Sequence, residues 1–321
     1  MKEIGGYFEF ELPFVGNMPN SDGVMLNTGR NALEFVLCNL GIIETIYIPY
    51  FTCDVVLEPI KKLNIKYSFY RINENLEIVD NISLSDKEYL LYTNYYGIKD
   101  AYIHKLSEKY SDRLIVDNAQ ALYAEPTMNC IYSPRKFVGL PDGGIAFVNT
   151  GICVSNYEKD ESYNRCGHLF IRHDIGASAG YATFRENSAK LHDNPIKQMS
   201  NLTQKMISSI DFSYVKKKRI ENFTYLHSVL FADNKLNIDN FGNFNCPMVY
   251  PYLTDDKTLK TRLIENKIFV ATYWPNVKDW CDESMTEWQL ADKVIAIPID
   301  QRYSIEDMKH IIKTINNGTE Q

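Results

Sequence analysis

Leu114-Ile-Val-Asp-Asn-Ala-Gln-Ala121, followed by Ile131-Tyr-Ser-Pro-Arg-Lys-Phe-Val-Gly-Leu-Pro-Asp-Gly-Gly144, places an acid at the end of an apolar strand and then a lysine in a short loop. In open, mostly parallel sheets, ligands sit beyond the carboxyl ends of the strands. Asp117 and Lys136 both fall near such an edge. An aspartate there can keep a pyridine nitrogen protonated, and a lysine amine can form an exchangeable Schiff base. The two together suggest pyridoxal 5'-phosphate (PLP). Taken singly, Lys136 reads as a solvated surface lysine and Asp117 as the cap of a following helix.

Outward from this pair, strand and helix alternate. Leu26 to Gly41 carries apolar residues at 32, 33, 36, 37 and 40, which is one face of a helix; Asn27 or Thr28 would cap it and Gly41 would end it. Thr45 to Ile48 reads as a strand, Asp54 to Leu63 as a helix, and Lys66 to Tyr70 as a strand. Tyr89 to Thr93 is a strand, Ala101 to Tyr110 a helix and Arg113 to Val116 a strand, with Cys130 to Ser133 and Gly144 to Val148 as further strands around the lysine loop. That order predicts right-handed crossovers on a mostly parallel sheet. Thr150 to Pro195 reads as loops and short helices reaching over a neighbouring surface, and Met199 to Phe231 as strongly helical. The tail returns to alternation: strand 247–253, helix 257–266, strand Phe269 to Tyr273, strand 294–298 and helix 304–315. The expected architecture is a large α/β domain over residues 1–215, including an N-terminal arm, and a small C-terminal α/β domain over 216–321.

The 321 residues suffice for two cores, and 45% hydrophobic with 23% charged residues is an ordinary globular balance. A net charge of -7 leaves no footprint for nucleic acid or an anionic membrane. With no run suited to a signal peptide or membrane span, the expected location is the cytoplasm. Seven cysteines without a C-x-x-C read as reduced thiols, not as a disulfide framework or a zinc site. His168 and His173 lack a carboxylate at metal-binding spacing, so no metal is expected. No P-loop and no G-x-G-x-x-G is present, which argues against nucleotide hydrolysis and nicotinamide binding.

Taken in order, Thr28-Gly-Arg-Asn-Ala-Leu33, Ile48-Pro-Tyr-Phe-Thr-Cys53, Asn94-Tyr-Tyr-Gly97, Val116-Asp-Asn-Ala-Gln120, Ser133-Pro-Arg-Lys136 and Asp142-Gly-Gly144 resemble the DegT/DnrJ/EryC1/StrS family. The resemblance runs over most of the chain, to Trp274-Pro275 and Ala296-Ile-Pro298. It implies a fold-type-I PLP-dependent transferase with a seven-stranded-type sheet between helices. The implied activity is transfer of an amino group, with glutamate as donor, to a keto sugar carried on a nucleotide, in polysaccharide or secondary-metabolite biosynthesis. By the same resemblance Lys136 holds the cofactor and acts as the catalytic base, with a pKa lowered by desolvation and by Arg135. Asp117 pairs with the ring nitrogen, Gln120 approaches the phenolic oxygen, and the turn Gly29-Arg30-Asn31 meets the phosphate with backbone N–H groups at a helix start. Gln198 would touch the phosphate of a partner subunit, which implies a homodimer with shared sites.

Three positions depart from the family pattern. Arg30 stands where a threonine is usual, and Ile131 where a phosphate-binding serine is usual, with Ser133 as a possible substitute. Cys53 stands where an aromatic ring stacks on the cofactor, leaving Tyr50, Phe51 or Tyr95 to fill in. Tyr250, Tyr252 and Tyr273-Trp274 are candidates to line a sugar site, though core positions suit them equally. Two rivals remain: a dehydratase of the same family, which would carry histidine in place of Lys136, and a cofactor-free scaffold that kept the fold.

Overall fold

The computed structural model describes residues 6–149 and 154–317. The chain runs through β1 (Val24–Leu26), α1 (Gly29–Asn39), β2 (Thr45–Pro49), α2 (Leu57–Lys62), β3 (Lys66–Tyr70), β4 (Glu88–Thr93), α3 (Asp100–Tyr110), β5 (Leu114–Asn118), β6 (Cys130–Tyr132) and β7 (Gly144–Phe147). Then follow α4 (Gly167–Asp174), α5 (Ala177–Ala189), α6 (Asn201–Ser208), α7 (Phe212–Leu230), β8 (Val249–Leu253), α8 (Leu259–Glu265), α9 (Val277–Trp280), α10 (Thr286–Lys293), β9 (Val294–Pro298) and α11 (Ile305–Asn316).

One seven-stranded sheet has the order β1-β7-β6-β5-β4-β2-β3, and a second pairs β8 with β9. The pairs β2/β3, β2/β4, β4/β5 and β5/β6 are parallel, whereas β7 runs antiparallel to both its neighbours. The carboxyl ends of β2, β4, β5 and β6 therefore share one edge, and so does the beginning of β7.

Strand alternation sorts the side chains onto two faces. Leu91, Ile115, Ile131 and Ala146 pack with Ala32, Leu33, Val36 and Leu37 of α1. Leu90, Tyr92, Leu114, Val116, Cys130 and Tyr132 face the other core, which continues through α3 and α7 into β8 and β9. Asp117 has the parity of Ile115 and lies on the α1 face; Asn118 has the parity of Val116.

Helix α1 starts as its spacing predicts: Thr28 caps it, its Oγ1 accepting the Asn31 N–H at 3.0 Å, and Gly41 follows with φ +82°. The proposed boundary at 215/216 falls inside α7, which ties the two parts together. Arg219 on α7 donates to the carbonyls of Met248 and Phe137 at 2.7 and 2.9 Å, and Asn222 donates to Ile299 and Tyr303.

One expectation gives way here. Phe269 to Tyr273 forms no strand: Ala271 makes a single bridge to Ala296, and Lys267 and Trp274, on either side, both have positive φ. From residue 154 the 150–195 stretch has loops and short helices, α4 among them, together with the longer α5, against which α4 packs. No helix among the described residues is long and apolar enough to cross a membrane.

Candidate active site

A cleft opens where the strand ends converge on the start of α1. Gly29, Arg30, Cys53, Thr93, Asp117, Gln120, Ile131, Ser133, Arg135, Lys136 and Trp274 line it. Asp117 and Lys136 thus meet in one space, as the sequence predicts.

Asp117 is 9% exposed. Its Oδ1 accepts the Ala119 N–H at 2.8 Å, and Oδ2 has no hydrogen-bond partner among the described residues. Burial pushes this carboxyl above its usual range, opposed first by the charge of Lys136 and then by the Ala119 N–H. A buried carboxylate with one anchored and one free oxygen is suited to a cationic partner in the cleft.

Lys136 ends a turn, Pro134–Lys136, held by the bond from its own N–H to the Ser133 carbonyl at 3.1 Å. Its Nζ has no hydrogen-bond or ion-pair partner among the described residues, and the residue is exposed. The expected desolvation is therefore not supplied by the chain's own packing.

Gln120 is 1% exposed. Its Oε1 accepts the Tyr96 N–H at 2.8 Å, which fixes the amide orientation because a backbone N–H needs an acceptor. Nε2 is then left buried without a partner. A buried orphan donor beside a cleft is an energetic debt that a ligand oxygen would cancel.

Two glycines bring β7 against the turn before α1. A Cβ on Gly144 would stand 2.2 Å from the Thr28 carbonyl oxygen and 2.7 Å from the Gly29 nitrogen. Gly143, at φ +118°, donates its N–H to Asn27 O at 2.7 Å. At Gly29, a Cβ would lie 3.5 Å from Ser133 Oγ, so that hydroxyl sits beside the helix start. Gly29, Arg30 and Ser133 together line a small polar cup at the start of α1.

Asn31 does not belong to the cup. Its N–H is taken by Thr28, and its side-chain Nδ2 donates to Glu34 and to Asn194 O, so the capping bond removes one of the expected free N–H groups. Gln198, expected at the phosphate of a partner subunit, donates from Nε2 to the carbonyls of Val154 and Tyr157 in its own chain. Cys53 lines the cleft; burial raises its thiol pKa, opposed first by Lys136.

The expected aromatic substitutes are absent from the lining. Tyr50 stacks on Phe69 at 4.6 Å, while Phe51 and Tyr95 are buried behind Trp274. Trp274 is the aromatic residue that reaches the cleft. It sits edge-on to Phe51 at 4.7 Å, and Asn276 nearby donates to Thr52 O at 2.9 Å, tying this C-terminal segment to the site. Tyr250 and Tyr252 are core residues, 0% and 5% exposed.

The sequence reading missed the role of Asp142. It is 1% exposed and accepts from Arg165 Nε and Nη2 at 2.9 and 2.7 Å, and from the hydroxyls of Ser162 and Thr203 at 2.5 Å each. This network clamps the 160–165 segment and α6 behind Gly143. The only available signal was an acid before two glycines, which reads equally as a plain turn.

No family model and no curated protein matches the chain. Solved structures do. DesV from S. venezuelae, in complex with a ketimine intermediate, superposes with a TM-score of 0.64 at 15% identity, covering 93% of this chain and 85% of that one. A DegT DnrJ EryC1 StrS aminotransferase from Brucella abortus gives 0.60 at 14% identity, over 93% and 86%. NtdA from Bacillus subtilis, with bound cofactor PMP, gives 0.64 at 12% identity, over 93% and 73%. The chain has the fold of these aminotransferases.

Proposed function

We propose that the chain is a PLP-dependent aminotransferase that moves an amino group, from glutamate, onto a keto sugar carried on a nucleotide. The observation that carries this reading is the free amine of Lys136 and the half-free carboxylate of Asp117 facing one cleft, with the orphaned Gln120 amide beside them. The three groups fit the lysine-reactive carbon, ring nitrogen and phenolic oxygen of PLP. The likeness of fold to aminotransferases supports the same reading.

When bound, PLP supplies an electron sink that lets a proton leave an amine-bearing carbon. The chain does the rest. Asp117 Oδ2 would hold a proton on the ring nitrogen, and that cationic partner would offset the burial that pushes the carboxyl above its usual range. Gln120 Nε2 would donate to the phenolic oxygen. The Gly29 and Arg30 N–H groups and Ser133 Oγ hold the phosphate, helped by the positive end of α1. Lys136 Nζ would hold the reactive carbon of PLP and, when free, would serve as the base that moves the proton of the amine-bearing substrate carbon. Trp274 and Cys53 wall the space around it.

We further propose a homodimer. Tyr7, Phe8 and Phe14 in the N-terminal arm are 99%, 91% and 70% exposed, and Ile175 and Tyr181 at the α4–α5 unit are 74% and 60% exposed. Phe10 meets Phe170 edge-on at 6.4 Å, joining arm and helices into one apolar face. A face of this kind is suited to a second copy. Gln198 serves the partner's phosphate only by giving up its two carbonyl bonds.

Addition of PLP to the apo chain tests the reading. Expected is a visible band that borohydride bleaches, that is absent in Lys136→Ala, and that glutamate discharges. A chain that stays colourless in PLP favours the scaffold reading, whose support is the departures at Arg30, Cys53 and Ile131 in the cleft wall.

A further inference from the structure

Arg135 is the one cleft-lining cation among the described residues that is half-buried and keeps a buried guanidinium nitrogen without a partner. Its Nη1 is buried with no hydrogen-bond partner, and the side chain has no ion pair among the described residues. Burial, and then the like charge of Arg30, push Arg135 down to about 10; the opposing charge is Asp142. Asp142 is already occupied by Arg165, Ser162 and Thr203. Arg30 is better served: Nη1 donates to Leu191 O at 2.7 Å and Nε lies 3.5 Å from Glu58. His168, 7% exposed, is held below its ordinary pKa by burial and then by the charge of Arg135, and its Nδ1 is also unpartnered.

A fixed positive charge buried beside another is unfavourable unless an anion completes it. Arg135 directly precedes Lys136 and shares the cleft with the Gly29 and Ser133 cup. We propose that Arg135, with Arg30, forms a two-guanidinium clamp for a phosphate dianion, that of the cofactor, and that this clamp provides the anion affinity in a site where Ile131 offers no hydroxyl. The inference rests on the functional reading above and adds to it a named anion ligand.

Two properties follow that a merely structural arginine would not show together. Arg135→Met removes a repelled, unpaired charge, so the apo chain melts at the same temperature or higher. The same change weakens PLP by about 10-fold or more, since bonds to charged groups are the strong ones. Pyridoxal, which lacks the phosphate, loses less than about 3-fold, and Arg135→Lys restores part of the PLP affinity.

The measurement is titration of apo wild type, Arg135→Met and Arg135→Lys with PLP and with pyridoxal, alongside melting of the apo chains in inorganic phosphate. Phosphate is expected to raise the melting temperature of wild type and not that of Arg135→Met. Equal losses for PLP and pyridoxal, or unchanged PLP affinity in Arg135→Met, overturn the clamp. If wild type reacts with neither aldehyde, the functional reading falls separately and the phosphate melts decide: stabilisation that Arg135→Met abolishes upholds the clamp, and none in wild type ends it.

Discussion

Gly144→Ala tests whether the site depends on the close approach of β7 to α1. The added Cβ would lie 2.2 Å from the Thr28 carbonyl oxygen, where ordinary contacts begin near 3.4 Å, so the two segments must part by about 1 Å. Strand β7 is paired on both sides, to β1 and β6, and cannot easily yield. The turn before α1 must move instead, breaking the 2.7 Å bond from Gly143 N–H to Asn27 O. Overpacking costs about 1–3 kcal/mol and a lost buried hydrogen bond about 1–3 kcal/mol. The sum is about 2–6 kcal/mol, a drop of about 4–12 °C in melting temperature at about 2 °C per kcal/mol for a chain of this length. PLP affinity should fall as well, because the displaced turn carries the Gly29 and Arg30 N–H groups. Circular-dichroism melts and PLP titration measure both, with Gly16→Ala, where nothing lies within 4 Å of the added carbon, as the control. A Gly144→Ala chain that melts within about 1 °C of wild type and binds PLP equally well refutes the reasoning.

Asp117→Asn should weaken PLP yet stabilise the apo chain at neutral pH. The folded pKa of Asp117 is raised, so the contribution of this group is fully present below its unfolded pKa and is lost as pH rises through the folded one. The advantage of the Asn variant should accordingly be larger at pH 7 than at pH 4 in apo melts; an advantage independent of pH contradicts this. Thr28→Ala removes the α1 cap and should cost about 1 kcal/mol, read from urea midpoints, with no loss showing that the cap is redundant. Tyr181→Ser with Phe184→Ser, changing a stacked exposed pair at 6.4 Å, should turn a sedimenting dimer into a monomer. Wild-type chain that already sediments as a monomer refutes the dimer.

What could be read from the sequence was local. The α1 face, the cap at Thr28 and the apolar run into Asp117 are set by neighbours a few residues apart, and the structure reproduces them within one or two positions. Strand β1 escaped notice because its three residues are strands only by pairing with β7. The bounds of α4 and α5 are not legible because Phe170, Tyr181 and Phe184 are exposed, so no core-facing stripe is visible in one chain. Residues 269–273 were misread because aromatic and β-branched content suggested a strand. The segment instead turns sharply at Trp274, at φ +57°, which carries that ring to the cleft. At the site, the Asp117 and Lys136 pair was legible from order and spacing. The partnering of Asn31, the orphaned Arg135 and the Asp142 network depend on contacts across 20 residues or more, or on a capping bond that spacing alone does not choose.

The most direct test of the central claim is mass spectrometry of peptides after PLP and borohydride treatment of the apo chain. The account predicts one reduced PLP adduct on Lys136, absent in Lys136→Ala and much diminished in Asp117→Asn. No adduct, or one carried by another lysine with Lys136 unmodified, would contradict it.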